Sequence, residues 1–219
     1  MNESAACEAL VRAARRLRSR GFLAGPALLS MRLAGRGAFA VASFAPGDLD
    51  APIDCRAHPL THAAPPPADD LEAHRRIYEW RGDAGGVFSG PTEWAGSLVE
   101  LDHPMPAVFD EQARHLGARV ERLAGASPDR RALRGGANAF AAPGGLVFVL
   151  GFNLDRTVFN VELFEKCAKA YLLACAAGGR VGRIPWWVRA VARRRLLRDE
   201  RRAAASYARG ETPAGLKAY

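Results

Sequence analysis

No stretch of this 219-residue chain approaches the eighteen or more consecutive apolar residues that a membrane-spanning helix needs, so no transmembrane segment is expected. Cysteine is scarce: Cys7, Cys55, Cys167 and Cys175 are far apart and form no Cys-x-x-Cys pair. Cys167 and Cys175 stand eight apart on one predicted helix, too distant along its axis to bridge. All four read as reduced, mostly buried thiols. The N-terminal MNESAACEALVRAARR lacks the basic-then-apolar order of a secretory signal, and the expected location is cytoplasmic. There is no Walker-type glycine loop, no Gly-x-Ser-x-Gly and no Cys–His arrangement with local support. Gly135-Gly136 and Gly144-Gly145 read as turns.

What is present is the composition of a soluble globular protein, 49% hydrophobic and 25% charged, in a length that one domain fills. The net charge of +8 is not spread evenly. From Arg180 to Tyr219 eleven Lys/Arg face three Asp/Glu, while the preceding 179 residues hold twenty of each sign. The expected division is therefore a domain over residues 1–179 and a basic helix and tail over residues 180–219. In RIPWWVRAVARRRLLRDERRAAASYARG a basic helix begins after Pro185. Its Trp186, Trp187, Val191 and Leu197 can dock on the body or on a neighbour while the arginines face water. An acidic partner such as an anionic membrane surface or nucleic acid also fits. The last residues, GETPAGLKAY, read as a loose end.

Along the domain, residues 4–20 predict a helix capped by Ser4, with Leu10, Ala14 and Leu17 on one face and Gly21 at its end. LLSMRL (28–33) and AFAVASF (38–44) predict a hairpin across AGRG. Residues 45–68 read as loop, with Pro65-Pro66-Pro67 a stiff lead into a helix starting at Asp69 or Asp70. His58 and His62 lie four apart, but Pro59 between them argues against a helical metal pair. The helix after Asp70 places Leu71, His74, Ile77 and Trp80 inward and leaves Arg75, Arg76 and Glu79 wet. A turn at Gly85-Gly86 then opens a short strand that stops at Ser89 and Pro91. Thr92 caps a short helix, and PMPAVFDEQARHLGARVERL (104–123) gives a Pro-rich turn and a further short helix. NAFAA (138–142) and LVFVLG (146–151) form an antiparallel pair across Pro143-Gly144-Gly145. A long core helix runs from Asn153, its cap, to Gly178-Gly179, with Val158, Val161, Phe164, Ala168, Tyr171, Leu172 and Cys175 at helical spacing. Hairpins alternating with long helices suggest an α/β or α+β sandwich.

The stretch DLEAHRRIYEWRGDAGGVFSGP (70–91) is similar to the class II aldolase/adducin family, in particular its adducin-head-like branch. An acid, three residues, a His, a Tyr-containing helix, Arg-x-Asp-Ala and a short strand follow one another as they do there. ALLSMR (27–32) matches the family's Gly-Asn-x-Ser-x-Arg segment at Ser30 and Arg32 but not at the Gly-Asn. ASFAPG (42–47) stands at its second phosphate loop with Ser43 as the side-chain donor. The resemblance covers roughly residues 5–178.

The resemblance implies a three-layer α/β/α fold with a central, mostly antiparallel sheet. It also implies a divalent metal held by three imidazoles, but Ser89, Pro91, and Pro143 or Gly144 stand at those positions. The acid that would bind metal and act as base falls on Asp70. No metal and no cofactor are therefore expected. Asp110 stands where the family's sugar-phosphate aldolases carry a Tyr acting as acid in a neighbouring subunit's site, and it also reads as a helix N-cap. Ser30, Ser89 and Asn138 would line a polar cleft able to take a small-molecule ligand. A homo-oligomer, a tetramer by analogy, is expected. The function implied is a non-aldolase binding or assembly module. The alternative is a divergent carbon–carbon lyase, epimerase or decarboxylase acting on a small sugar or oxyacid without the usual metal.

Overall fold

Short, largely apolar strands, buried on both faces, set the architecture. The computed structural model describes residues 2–47, 53–61, 69–178 and 181–214; His62 and the Pro65-Pro66-Pro67 run lie outside them. The strands are β1 (Ala27–Leu33), β2 (Ala38–Phe44), β3 (Asp54–Pro59), β4 (Gly86–Pro91), β5 (Met105–Pro106), β6 (Arg119–Arg122), β7 (Ala139–Ala141) and β8 (Leu146–Gly151). They form one sheet in the order β3-β2-β1-β4-β8-β7-β6-β5. Every pairing is antiparallel except that of β6 with β7. Leu29, Met31, Phe88, Val147 and Val149 face one way, into a core shared with helices α1 (Glu3–Ser19) and α5 (Leu154–Ala176). Phe39, Val41, Val87, Phe148 and Leu150 face the other way, toward α2 (Asp69–Trp80) and α4 (Arg130–Arg134). Since alternate residues of a strand point to opposite faces, the result is the expected three-layer α/β/α fold with a mostly antiparallel sheet.

The hairpin between β1 and β2 turns through Gly35 and Gly37, whose φ values of 72° and 59° only glycine adopts readily. Asn153 caps α5 through a hydrogen bond from the Arg156 amide. At α1 the cap is Asn2, which accepts from the Ala5 amide, and not Ser4. Two further expectations are corrected. Residues 54–59, read as loop, form β3, an edge strand paired with β2. Cys7 and Cys55, read as reduced thiols, are joined in a disulfide with a Cα–Cα distance of 5.7 Å that ties α1 to β3. Cys167 and Cys175 remain free thiols. Burial pushes the Cys167 thiol up to about 12, so it stays protonated and unreactive at neutral pH.

The chain completes the layers with α3 (Asp110–His115) and α6 (Trp186–Ala208), which pack on each other at the β5 end. Ala192 of α6 meets Ala107 and Ala113 in a small apolar contact joined by Ile184. Arg114 of α3 and Asp199 of α6 form an ion pair beside it.

Candidate functional site

The residues of the 70–91 stretch are built into two polar networks. Helical spacing puts His74 and Tyr78 on one side of α2, against the even face of β1 and the odd face of β4. There the His74 ring spans two hydroxyls: Nδ1 lies 2.7 Å from Ser30 Oγ and Nε2 lies 2.8 Å from Ser89 Oγ. Ser30 Oγ shares a third hydrogen bond, 2.8 Å, with the Tyr78 hydroxyl. All four side chains are buried. Burial without a charged partner lowers the His74 pKa to about 3, and burial raises that of Tyr78 against the Ser30 hydrogen bond and the Arg32 cation over its ring. The imidazole is therefore neutral at physiological pH, with one nitrogen donating and the other accepting. Both nitrogens are occupied, and no solvent reaches them.

The second network surrounds the buried Arg81 at the end of α2. Its Nε and Nη2 donate to the two carboxylate oxygens of Asp83 at 2.8 and 2.7 Å. Nη2 also reaches Asn138 Oδ1 at 2.8 Å and Glu200 Oε1 at 3.3 Å. The Asn138 amide donates to Glu200 Oε1 at 3.0 Å and to the His115 carbonyl at 3.2 Å. Burial opposes the Arg81 charge, yet Asp83 and Glu200 outweigh it and raise the pKa. Burial raises the Glu200 pKa against the pull of Arg81. This cluster fastens α6 to α2 and β7. Beside it, Arg32 donates to the carbonyls of Ala84, Tyr78 and Arg81 at 2.8, 2.6 and 3.0 Å, which closes the end of α2.

Thus Ser30 and Ser89 are brought together, but through His74 and inside the α2 layer. Asn138 belongs to the Arg81 network. Asp70 is exposed on the first turn of α2, one turn before His74. Arg75, expected to stay wet, is instead buried in a bidentate pair with Glu72, Nε–Oε2 2.8 Å and Nη2–Oε1 2.6 Å. Pro91 sits at the end of β4 opposite Leu146, and Pro143–Gly145 form a single 3-10 turn between β7 and β8. Among the described residues no three His, Cys, Asp or Glu side chains converge as a metal site.

Asp110 opens α3 as its first helical residue, after Phe109 at the cap position, and accepts from the Glu111 amide at 2.9 Å. It borders an open groove of about 730 Å³ between α3, α5 and α6, with Arg156, Phe159, Trp187 and Val191 among its walls. His115 forms part of the floor. Arg156 Nη1 donates to its Nδ1 at 2.8 Å, and the Phe159 ring meets it edge-on at 5.2 Å. Burial, reinforced by the Arg156 cation, lowers the His115 pKa to about 3. A neutral imidazole, a guanidinium and two aromatic walls suit a small molecule with an apolar body and a polar end. The groove has little local signature in the sequence, because His115, Arg156 and Trp187 come from three separate helices. The exposed apolar start of α6 was its one visible signal.

No family model matches this chain, and no curated protein does. Solved structures do. An L-fuculose 1-phosphate aldolase superposes with a TM-score of 0.75 at 19% identity, over 90% of this chain and 98% of its own. YgbL from Klebsiella pneumoniae, described as a candidate aldolase/epimerase/decarboxylase, gives 0.69 at 18%, over 88% and 100%. An aldolase II superfamily protein from Pseudomonas syringae gives 0.65 at 13%, over 96% and 94%. Likeness at such identities is likeness of fold, and the chain has the three-layer α/β fold of the class II aldolase structures.

Proposed function

We propose that this chain uses the class II aldolase fold as a binding or assembly module of the adducin-head kind, without a divalent-metal site. The observation that carries the reading is the direction of Ser89. Its hydroxyl, at a position where the resemblance expects a metal-binding imidazole, turns into the α2 layer and is engaged by His74. The other two imidazole positions fall on Pro91 and on Pro143 or Gly144, which offer no side-chain donor. Asp70 then remains as one exposed carboxylate. A catalytic divalent site needs about three protein ligands, so this donor set does not fit the metal that the fold family implies. A homo-oligomer is expected, as the resemblance implies. The groove beside Asp110 supports a second reading, a divergent lyase, epimerase or decarboxylase working on a small oxyacid or sugar without metal, with Asp110 moving the proton.

Elemental analysis of the purified protein, with thermal melts in added zinc and manganese, tests the first reading. The expected result is no stoichiometric metal and an unchanged Tm. One tightly held equivalent of either metal, or metal-dependent cleavage of L-fuculose 1-phosphate, overturns it. Metal-independent turnover abolished by Asp110→Asn selects the second.

A further inference from the structure

We infer that the outer face of α6 is a docking surface for an anionic lipid bilayer. Ala192, Leu196, Glu200 and Ala203, spaced four, four and three apart, are the buried residues of this helix. On the opposite side Trp187, Val191, Arg194, Arg195, Arg201 and Arg202 are all exposed, with Trp187, Val191 and Arg195 at the edge where this face meets the groove beside Asp110. At 100° per residue these six fall within about one third of the helix circumference, and from Trp187 to Arg202 they span about 22 Å. The two acids of the helix do not offset them. Glu200 is buried against Arg81, and Asp199 is taken by Arg114, with Arg198 at 3.8 Å. Among the described residues no acidic side chain pairs with Arg194, Arg195, Arg201 or Arg202. The chain's net charge resides in residues 180–219, most of it in this helix, since residues 1–179 carry twenty groups of each sign.

A phosphate-bearing surface is the complement of such a stripe, and its apolar end identifies which surface. Trp186, Trp187 and Val191 are 73%, 59% and 50% exposed. Indoles settle at the headgroup level of a bilayer and a valine at the edge of the acyl region, while guanidinium groups pair with lipid phosphates and carboxylates. Along a nucleic-acid backbone Val191 would meet nothing apolar. Binding is peripheral, because none of the described helices is long and apolar enough to cross a membrane.

The test is co-sedimentation of the full chain with phosphatidylcholine vesicles, with and without about one third phosphatidylserine, at about 0.1 M salt. Binding is expected only to the anionic vesicles and is expected to weaken as salt rises. Each arginine at such a surface is worth roughly fivefold, so R194Q/R195Q/R201Q/R202Q should weaken binding at least about a hundredfold. All four positions are exposed, and an unchanged melting curve confirms that the variant is folded. W186S/W187S should weaken the binding that persists at high salt. Equal binding to neutral vesicles, no binding to anionic ones, or full binding by the arginine variant overturns the inference. So does tighter binding of a thirty-nucleotide oligomer in the same buffer, which would reassign the face to nucleic acid.

Discussion

On the α1/α5 side of the sheet, Leu29, Phe88, Val149 and Phe164 pack among apolar side chains. On the α2 side, Phe39, Val87 and Phe148 share their layer with His74, Ser30, Ser89 and Tyr78. The two layers are buried to the same degree but are specified differently. Apolar packing is non-directional, so a change of shape at constant volume is met by small shifts of its neighbours. A buried chain of hydrogen bonds admits one arrangement, because a partner lost inside it strands a polar group away from water. That distinction explains how a sheet surface can keep polar residues at positions associated with chemistry and still use them as structure.

The largest expected effect breaks the polar side. His74→Leu leaves Ser89 without its side-chain partner and removes one of those of Ser30, and should cost about 3 kcal/mol at neutral pH. Leu29→Met, on the opposite face and equally inaccessible, should cost less than about 1.5 kcal/mol. Urea midpoints at constant slope measure both. Equal losses would remove the contrast between the two layers.

The next effect concerns pH. His74 titrates near 6.5 when unfolded but at about 3 when folded, held down by burial. Below pH 6.5 the unfolded state therefore binds the extra proton, and stability must fall as pH falls. The contribution is complete above about 6.5 and declines by up to about 1.4 kcal/mol per pH unit toward 3. His115 acts in the same direction, lowered by burial and then by Arg156. In the window from pH 6.5 to 5 Glu72, held by Arg75 down to about 2, does not respond. Glu165 and Glu200, raised by burial, oppose the histidines there, so the difference between wild type and His74→Leu isolates the His74 share. Melting curves across that window should slope down more toward pH 5 for the wild type than for His74→Leu. Parallel curves would mean that the imidazole is reached by solvent.

Much of the fold is legible in the sequence because its signals are local. Short, largely apolar runs at 28–33, 38–44 and 146–151, bounded by turn residues, place β1, β2 and β8, and Asn153 with the spacing from Val158 to Tyr171 places α5. β3 escapes because an edge strand open to solvent carries no apolar alternation. α4, only five residues long, is marked by little besides the Asp129 cap. The Cys7–Cys55 bond depends on α1 lying across β3, which 48 residues of separation conceal. The site residues show a different limit. The pattern around Ser30, His74 and Ser89 reveals which side chains share a face, but not that the face is roofed by α2 and closed to water. Arg75 lies on a face of α2 that reads as solvent-exposed, yet its pairing with the buried Glu72 draws it in.

The smallest effect sharpens the comparison from the apolar side. Glu162 of α5 accepts from Arg16 Nε and Nη2, both at 2.8 Å, and from Arg20 Nε at 3.0 Å, a fork that links α1 to α5 at the rim of their core. Burial works against the carboxylate, but these hydrogen bonds outweigh it and lower the Glu162 pKa. Both arginines are more than half exposed, so water and salt screen the charges and the long side chains lose entropy when held. Glu162→Gln should therefore cost less than about 1 kcal/mol, and less still at high salt. A loss above about 2 kcal/mol would mean that α1 and α5 depend on this fork as heavily as the α2 layer depends on His74. A small loss leaves the position of α1 to the Cys7–Cys55 disulfide and to Ala6, Leu10, Ala14 and Leu17, its fully buried side chains in the shared core.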